Sequence, residues 1–174
     1  AGKTEENAGN NFRYEYSYEG IAELIQKYVG AWKIEMEKLF NLVIFNFLFS
    51  NGDAHLKNFS LLETVNGDYI LSPAYDLMNT RIHVDEDGFF ALTDELFKEW
   101  YWSNCRIKNA QHHPCKEDFI VFGRKIGIPE KRVDKLLGPF LKKQAGVEIL
   151  VQRSFLDEGT KGQYINHYHE RLEM

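Results

Sequence analysis

Several features that define special classes of protein are scarce or missing in this chain. Only two of its 174 residues are cysteines, Cys105 and Cys115, which is too few for a disulfide framework and is typical of a reducing compartment. The net charge is -5, so a general electrostatic grip on nucleic acid is disfavoured. The longest apolar run, LVIFNFLF, is far shorter than the about 20 residues that cross a bilayer. We therefore expect a cytoplasmic protein that makes no contact with a membrane.

Proline is also rare, with four residues and no Pro-rich linker, so one domain is the simplest organisation. The composition is that of an ordinary globular protein, with 44% hydrophobic and 27% charged residues. The polar stretch at residues 1–16 is predicted to be a flexible N-terminal segment. The remainder, residues 17–174, is predicted to form the folded domain.

Helical spacing dominates both ends of this domain. Apolar residues in SYEGIAELIQKYVG recur every three or four positions, with Ser17 placed to cap the helix and Gly30 to end it. A second helix is predicted from Glu35 to Ser50, and it is apolar nearly all round, which indicates a buried central helix. From residue 116 to residue 174 the pattern is again helical, and we predict a helical bundle there.

A β-hairpin is predicted at residues 59–72. Asn66-Gly67 stands between two apolar runs and is a strong signal for a type I′ turn. With the helices on either side, the predicted fold class is mainly α with one small hairpin.

The stretch SNGDAHLKNFSLL, which joins the buried helix to the hairpin, is unusually polar for its position. Asp53 and Asn58 in this loop, residues 51–60, have the D-x-x-x-x-N spacing of a kinase catalytic loop, and Asp76 follows the hairpin. Phosphoryl transfer requires a carboxylate to accept the proton of the attacking hydroxyl, and hard oxygen ligands for Mg²⁺. The simpler interpretation is that Asp53 caps a turn and Asn58 bonds a loop backbone.

A wider pattern around these residues resembles the C-terminal kinase region of HipA-type proteins, which are serine/threonine kinase toxins of bacterial toxin–antitoxin modules. Their pattern reads roughly D-x-H-x-K-N-F-S, then a hairpin, then L-x-P-x-Y-D. The resemblance spans about residues 17–172. The matching positions in this chain are Asp53, His55, Lys57, Asn58, Phe59, Ser60, Leu71, Pro73, Tyr75 and Asp76.

The resemblance implies a protein-kinase-like C-lobe that transfers phosphate from ATP to a Ser or Thr hydroxyl. It implies that Asp53 is the catalytic base and that Asn58 and Asp76 bind Mg²⁺ and the nucleotide. Lys57 is then expected to neutralise phosphate charge and His55 to support the loop. The implied partners are a HipB-like helix-turn-helix antitoxin, through which nucleic acid would be contacted indirectly, and a protein substrate that the sequence does not identify.

A Gly-rich G-x-G-x-x-G loop and its phosphate-binding Lys are not found in this sequence. We therefore expect the ATP-clamping N-lobe to be missing from this chain, whether it was cut away or is a separate polypeptide. We expect the isolated chain to be inactive.

Two other functions fit parts of the sequence. GDAHLKN also resembles the G-D-x-H-x-x-N of aminoglycoside and choline phosphotransferases, although Asn51 stands where those enzymes usually have a His. A non-catalytic interaction module is the second alternative, because the acidic, helical C-terminal third suits a docking role.

Two further patterns have simpler explanations. Cys105, His112, His113 and Cys115 have the residue types of a Zn²⁺ site but match no C-x₂-C spacing, so an incidental surface loop is favoured. The aromatic stretch FKEWYWSN has the rings of a base-stacking platform, but it lies beside Glu95 and Glu99, which favours packing.

Overall fold

The computed structural model describes residues 4–9, 11–84, 88–99, 107–108 and 111–174. Within these ranges the protein is mainly helical, with two short antiparallel hairpins. The helices are α1 (Glu5–Ala8), α2 (Tyr18–Tyr28), α3 (Trp32–Leu48), α4 (Lys116–Lys125), α5 (Glu130–Leu137), α6 (Ala145–Arg153) and α7 (Glu158–Leu172). The strands are β1 (Leu61–Glu63), β2 (Tyr69–Leu71), β3 (Ile107–Lys108) and β4 (Gln111–His112). Short 3₁₀ turns cover Leu56–Asn58, Thr80–Ile82 and Gly138–Leu141.

The first long helix, α2, begins where the sequence predicts. The Ser17 side chain accepts a hydrogen bond from the Gly20 N–H at 3.1 Å, which satisfies one of the free donors of the first turn. The helix ends at Tyr28, with extended Val29 rather than Gly30 as its C-cap. The backbone carbonyls of Glu95 and Leu96 accept hydrogen bonds from the N–H groups of the first two helical residues, so the later loop closes the helix start.

The central helix α3 is buried as predicted, although it begins three residues earlier than expected. Leu39, Phe40 and Ile44 are fully buried at 0% exposure, and the core around them draws on α2, α4 and α5. Its Glu35 carboxylate is also buried and accepts the Leu71 N–H at 2.9 Å, which ties the helix to β2. Since Leu71 ends the hairpin, α3 sets where the chain after the hairpin begins.

The first hairpin is confirmed, but its predicted turn type is wrong. A type I′ turn needs positive φ at both central residues. Only Gly67 has positive φ, +76°, and its N–H donates to the Thr64 carbonyl at 2.9 Å, while the Thr64 N–H donates to Asp68 O at 2.7 Å. The loop is therefore one residue longer than a two-residue turn, with glycine at the left-handed position that follows the turn.

Residues assigned to the flexible N-terminal segment make backbone contacts with the domain. The Leu56 N–H donates to the Arg13 carbonyl at 3.0 Å, and the Thr93 N–H donates to the Tyr14 carbonyl at 2.9 Å. The segment thus lies between the polar loop and the 92–97 loop. No helix in the described part of the chain is long and apolar enough to cross a bilayer.

A glycine at the α4–α5 contact offers a test of this packing. A Cβ added at Gly123 would lie 2.6 Å from Val133 Cγ2 and 3.0 Å from Phe40 Cε2, both fully buried. We expect Gly123→Ala to destabilise the domain by about 1–3 kcal/mol, because overpacking outweighs the gain in helix propensity. Thermal unfolding followed by circular dichroism would measure this as a lower melting temperature.

The matched control is Gly162→Ala in α7, where, apart from its chain neighbours and the backbone of its own helix, nothing lies within 4 Å of the added carbon. This variant is expected to be neutral or more stable by up to about 1 kcal/mol. Equal melting temperatures for the two variants would contradict the packing described at Gly123.

Candidate functional site

The polar loop leaves α3 through a tight turn that Asn51 holds together. Ser50 has a left-handed backbone, φ +52°, which ends the helix and redirects the chain. Asn51 Nδ2 donates to Asn46 Oδ1 and to the Asp76 carbonyl, both at 3.0 Å. Asn51 Oδ1 accepts the Asp53 N–H at 3.3 Å. One buried amide therefore links the helix end, the start of the loop and the chain beyond the hairpin.

Asp53, the predicted base, is half-buried and lies next to the N-terminal segment. Its Oδ1 accepts a hydrogen bond from the Tyr14 hydroxyl at 2.8 Å. Burial raises the pKa of Tyr14 above its usual value, and the hydrogen bond to the Asp53 carboxylate raises it further. The Asp53 carbonyl accepts the His55 N–H at 2.8 Å, so the backbone after Asp53 is also held.

Asn58 and Asp76, the predicted metal ligands, are in direct contact although 18 residues separate them. Asn58 Nδ2 donates to Asp76 Oδ2 at 2.7 Å, and Asn58 Oδ1 accepts the His55 N–H at 3.0 Å. Asn58 is buried, while Asp76 is exposed. Asp76 has a φ of +56°, a left-handed conformation that is costly for a residue with a side chain. The Asn51 bond to its carbonyl helps to hold this conformation.

Two residues beside Asp76 attach the chain after the hairpin to the loop. The Tyr75 hydroxyl donates to the Lys57 carbonyl and lies 2.7 Å from Ser60 Oγ. Thr80 Oγ1 accepts the Gly52 N–H at 2.8 Å. Asp76 is therefore fixed against the loop from both sides.

His55 and Lys57 occupy different surroundings. His55 is buried, and its ring meets the Tyr14 ring edge-on with the centroids 5.3 Å apart. The Lys57 side chain is exposed, and its Nζ lies 5.2 Å from the centroid of the Phe12 ring. Within the described residues, Lys57 forms no ion pair that would place its ammonium group on Asp53 or Asp76.

The oxygen atoms present fit a hard divalent cation better than a soft one. No three His, Cys, Asp or Glu side chains within the described ranges are grouped so that they would hold a metal ion by themselves. Asp76 supplies a carboxylate, whereas the Asn58 amide directs its nitrogen to Asp76 and its oxygen to the His55 N–H, so Asn58 must turn over to offer that oxygen to an ion shared with Asp76. Mg²⁺ commonly binds proteins through one or two oxygen side chains while keeping waters and phosphate oxygens. Because Asp76 is exposed, water and phosphate oxygens can reach it. The Asn58–Asp76 pair therefore fits a Mg²⁺-nucleotide better than a metal ion enclosed by protein ligands alone.

The other candidate sites gain no support. Cys105 and the side chain of His112 lie outside what the structure describes, so two of the four candidate zinc ligands are not described, and the described residues hold no group of three such ligands. Of the aromatic stretch, residues 100–104 are likewise outside the description. Phe97, in contrast, is 8% exposed and part of the core, as the packing interpretation predicts.

An apolar pocket of about 310 Å³ adjoins the loop on the α2 side. Leu56, Lys57 and Phe59 form its loop wall, and the hairpin contributes Leu61 and Leu71. The remaining wall consists of Phe12 and four α2 side chains, of which Ile21 and Ile25 are buried, Leu24 is partly buried and Tyr28 is exposed.

Tyr14, Asn51 and Thr80 were missed as site residues by sequence reasoning. Tyr14 lies in a segment without periodicity, and its partner is 39 residues away, so no local signal marks it. Asn51 stood out only as the residue that replaces the His of small-molecule phosphotransferases. Tyr75 belongs to the recognised pattern, but the pattern assigned it no contact.

The fold and the loop together define a helical domain in which the loop after the central helix carries Asp53 and brings Asn58 into contact with Asp76. The HipA-like C-terminal domain family matches residues 3–146, which is most of the chain, and the chain belongs to this family. A Haemophilus influenzae protein named "Putative kinase" is 25% identical over 162 residues, covering 91% of this chain. The chain spans about half the length of that curated relative, 47%.

Proposed function

We propose that this chain is the kinase-like C-lobe of a longer, ATP- and Mg²⁺-dependent protein kinase that phosphorylates Ser or Thr hydroxyls. The observation that carries the proposal is the 2.7 Å contact between Asn58 and Asp76. It brings the end of the D-x-x-x-x-N loop together with the aspartate after the hairpin, which is the layout that phosphoryl transfer uses. The family match and the name of the relative support the same reaction class.

In this proposal Asp53 accepts the proton of the attacking hydroxyl. The hydroxyl oxygen then forms a bond to the γ-phosphorus of ATP, the bond from that phosphorus to the bridging oxygen breaks, and ADP leaves. Asn58 and Asp76 would hold Mg²⁺, which neutralises charge on the phosphates. Lys57, exposed at the rim of the loop, would meet phosphate charge from the solvent side, and buried His55 would keep the loop rigid.

The second lobe is part of the proposal. Positioning of the triphosphate supplies most of the catalysis in this reaction, and a Gly-rich clamp does not occur in this sequence. The relative is about twice as long as the matched region, which leaves room for such a lobe. A HipB-like helix-turn-helix antitoxin is the proposed regulatory partner, and nucleic acid would be contacted through it.

Comparing the 174-residue chain with the longer protein tests the proposal. We expect the longer protein to transfer radiolabelled γ-phosphate to itself or to another protein in the presence of Mg²⁺. We expect the 174-residue chain to transfer phosphate neither to itself nor to another protein. We also expect no micromolar ATP binding by calorimetry, because the chain lacks the phosphate clamp.

Each alternative has its own outcome in this experiment. Phosphate transfer to an aminoglycoside or to choline, and not to protein, would replace the proposal with a small-molecule phosphotransferase. A longer protein that binds a partner but neither binds nor hydrolyses ATP would favour the interaction module. Micromolar ATP binding by the 174-residue chain would contradict its expected inactivity.

A further inference from the structure

The two carboxylate oxygens of Asp53 are in unequal surroundings. Oδ1 accepts the Tyr14 hydroxyl at 2.8 Å, and within the described residues no other hydrogen bond reaches the carboxylate. We propose that Tyr14 is a positioning residue for Asp53, fixing one oxygen so that the other is held ready to accept the proton of the attacking hydroxyl. This inference rests on the proposed function, because it assigns Tyr14 a task in the same reaction.

The backbone around Tyr14 is built to keep its ring in place. The carbonyl of Arg13 accepts the Leu56 N–H at 3.0 Å, which joins the segment to the same loop that carries Asp53. On the other side, the Tyr14 carbonyl accepts the Thr93 N–H at 2.9 Å. Both hydrogen bonds fix the backbone next to the tyrosine, so the ring approaches Asp53 from a tethered position.

The ring itself is packed between two neighbours. Its face lies 4.8 Å from the Arg13 guanidinium carbon, and the His55 ring meets it edge-on. His55 belongs to the loop and is buried. Rigid neighbours matter because a misplacement of about 1 Å in a reacting group can lower turnover by about 100-fold.

The protonation state of Tyr14 suits a donor. Burial and the neighbouring Asp53 carboxylate raise the pKa of Tyr14 above its ordinary value, while Arg13 opposes the shift. A raised pKa keeps the phenol protonated throughout the neutral range, so the hydroxyl keeps a proton to donate to Asp53 Oδ1. Tyr14 is thus an orienting donor and does not compete for the substrate proton.

A purely structural role makes a different prediction. If Tyr14 only attached the N-terminal segment to the domain, removing its hydroxyl would lower stability without a specific effect on turnover. If it orients Asp53, turnover falls while nucleotide affinity and stability stay nearly constant. The hydroxyl is therefore the atom to remove.

The first experiment asks whether the contact exists, and it needs no enzymatic activity. In the 174-residue chain with ζ-¹³C-labelled tyrosine, NMR titration is expected to give a midpoint, the pKa of Tyr14, above that of an ordinary tyrosine. Asp53→Asn removes the negative charge that disfavours the phenolate, so it is expected to lower this midpoint. A midpoint that Asp53→Asn leaves unchanged would overturn the proposed contact.

The second experiment measures Tyr14→Phe in the longer protein. We expect kcat for phosphate transfer to fall by about 10- to 100-fold, with KM for Mg-ATP and the melting temperature close to those of the wild type. Tyr16→Phe is the matched control, because the Tyr16 hydroxyl forms no hydrogen bond in the described structure. It is expected to keep the wild-type kcat.

The outcomes distinguish a failure of the role proposed for Tyr14 from a failure of the proposed kinase function. An active wild type with a fully active Tyr14→Phe variant would overturn the role of Tyr14 and leave the proposed function intact. A rise in KM or a loss of stability that accounts for the whole loss of activity would also overturn it, in favour of the structural role. A wild type that transfers no phosphate would overturn the proposed function itself, and with it any catalytic role of Tyr14.

Discussion

Asp53→Asn in the longer protein is expected to lower the rate of phosphate transfer by about 100- to 10,000-fold, the range of a lost general base. The asparagine side chain has nearly the same shape as aspartate and keeps an oxygen for the Tyr14 hydroxyl. In the wild type this hydroxyl lies 2.8 Å from Asp53 Oδ1. What it loses is the ability to accept the substrate proton. Nucleotide binding is expected to remain, because Asn58 and Asp76 are unchanged.

Asp134→Asn provides the matched control for this variant. Asp134 is an exposed residue of α5, so the same change of charge is made outside the loop. Radiolabelled phosphate transfer and calorimetric ATP binding would be measured on both proteins. Full transfer by Asp53→Asn would show that another group accepts the proton.

Asp76→Asn is expected to have a comparably large effect on transfer through a different step. Its oxygen would still accept the Asn58 amide, so the 2.7 Å contact and the local fold are expected to persist. The lost negative charge weakens the proposed Mg²⁺ site, whose contribution to catalysis is worth several kcal/mol, so we expect kcat/KM to fall by at least about 100-fold. The Mg²⁺ concentration for half-maximal activity is expected to rise.

The dependence on Mg²⁺ distinguishes this variant from Asp53→Asn. Calorimetric titrations with ATP at several Mg²⁺ concentrations should show Mg²⁺-stimulated binding for Asp53→Asn and little stimulation for Asp76→Asn. Asp68→Asn is the control, since the Asp68 carboxylate in the hairpin loop likewise accepts N–H groups, here from the Gly30 and Tyr69 backbone, but lies outside the polar loop. If Asp76→Asn kept the wild-type Mg²⁺ dependence, Asp76 would not be a metal ligand.

Local structure was largely predictable from this sequence. The start of α2 at Ser17, the buried character of α3 and the helical C-terminal third follow from periodicity and capping, which depend on neighbouring residues. The hairpin was predictable from its turn residues, but its turn type was not. Asn66 kept a negative φ, because the loop was closed one residue later around Gly67.

For the candidate site, too, the residues were predictable from the sequence but their contacts were not. The D-x-x-x-x-N spacing and the resemblance to HipA-type proteins named Asp53, Asn58 and Asp76 without any coordinates. The contact between Asn58 and Asp76 depends on how far the hairpin reaches and where α3 fixes its second strand, through the bond from Leu71 N–H to Glu35. No pattern within a short window contains that information.

What the sequence by itself determined is the long helices, the first hairpin and the family, because hydrophobic period, caps and a spaced motif depend on residues close along the chain, whereas α1 and the β3–β4 hairpin were not predicted. Only the tertiary structure decided that Tyr14 reaches Asp53, that Asn51 joins the loop to Asp76, and that Asp76 adopts a left-handed backbone. These contacts join residues 25 and 39 positions apart. They form only after the core packs, since the packing of α2, α3 and the hairpin sets the distances between their side chains.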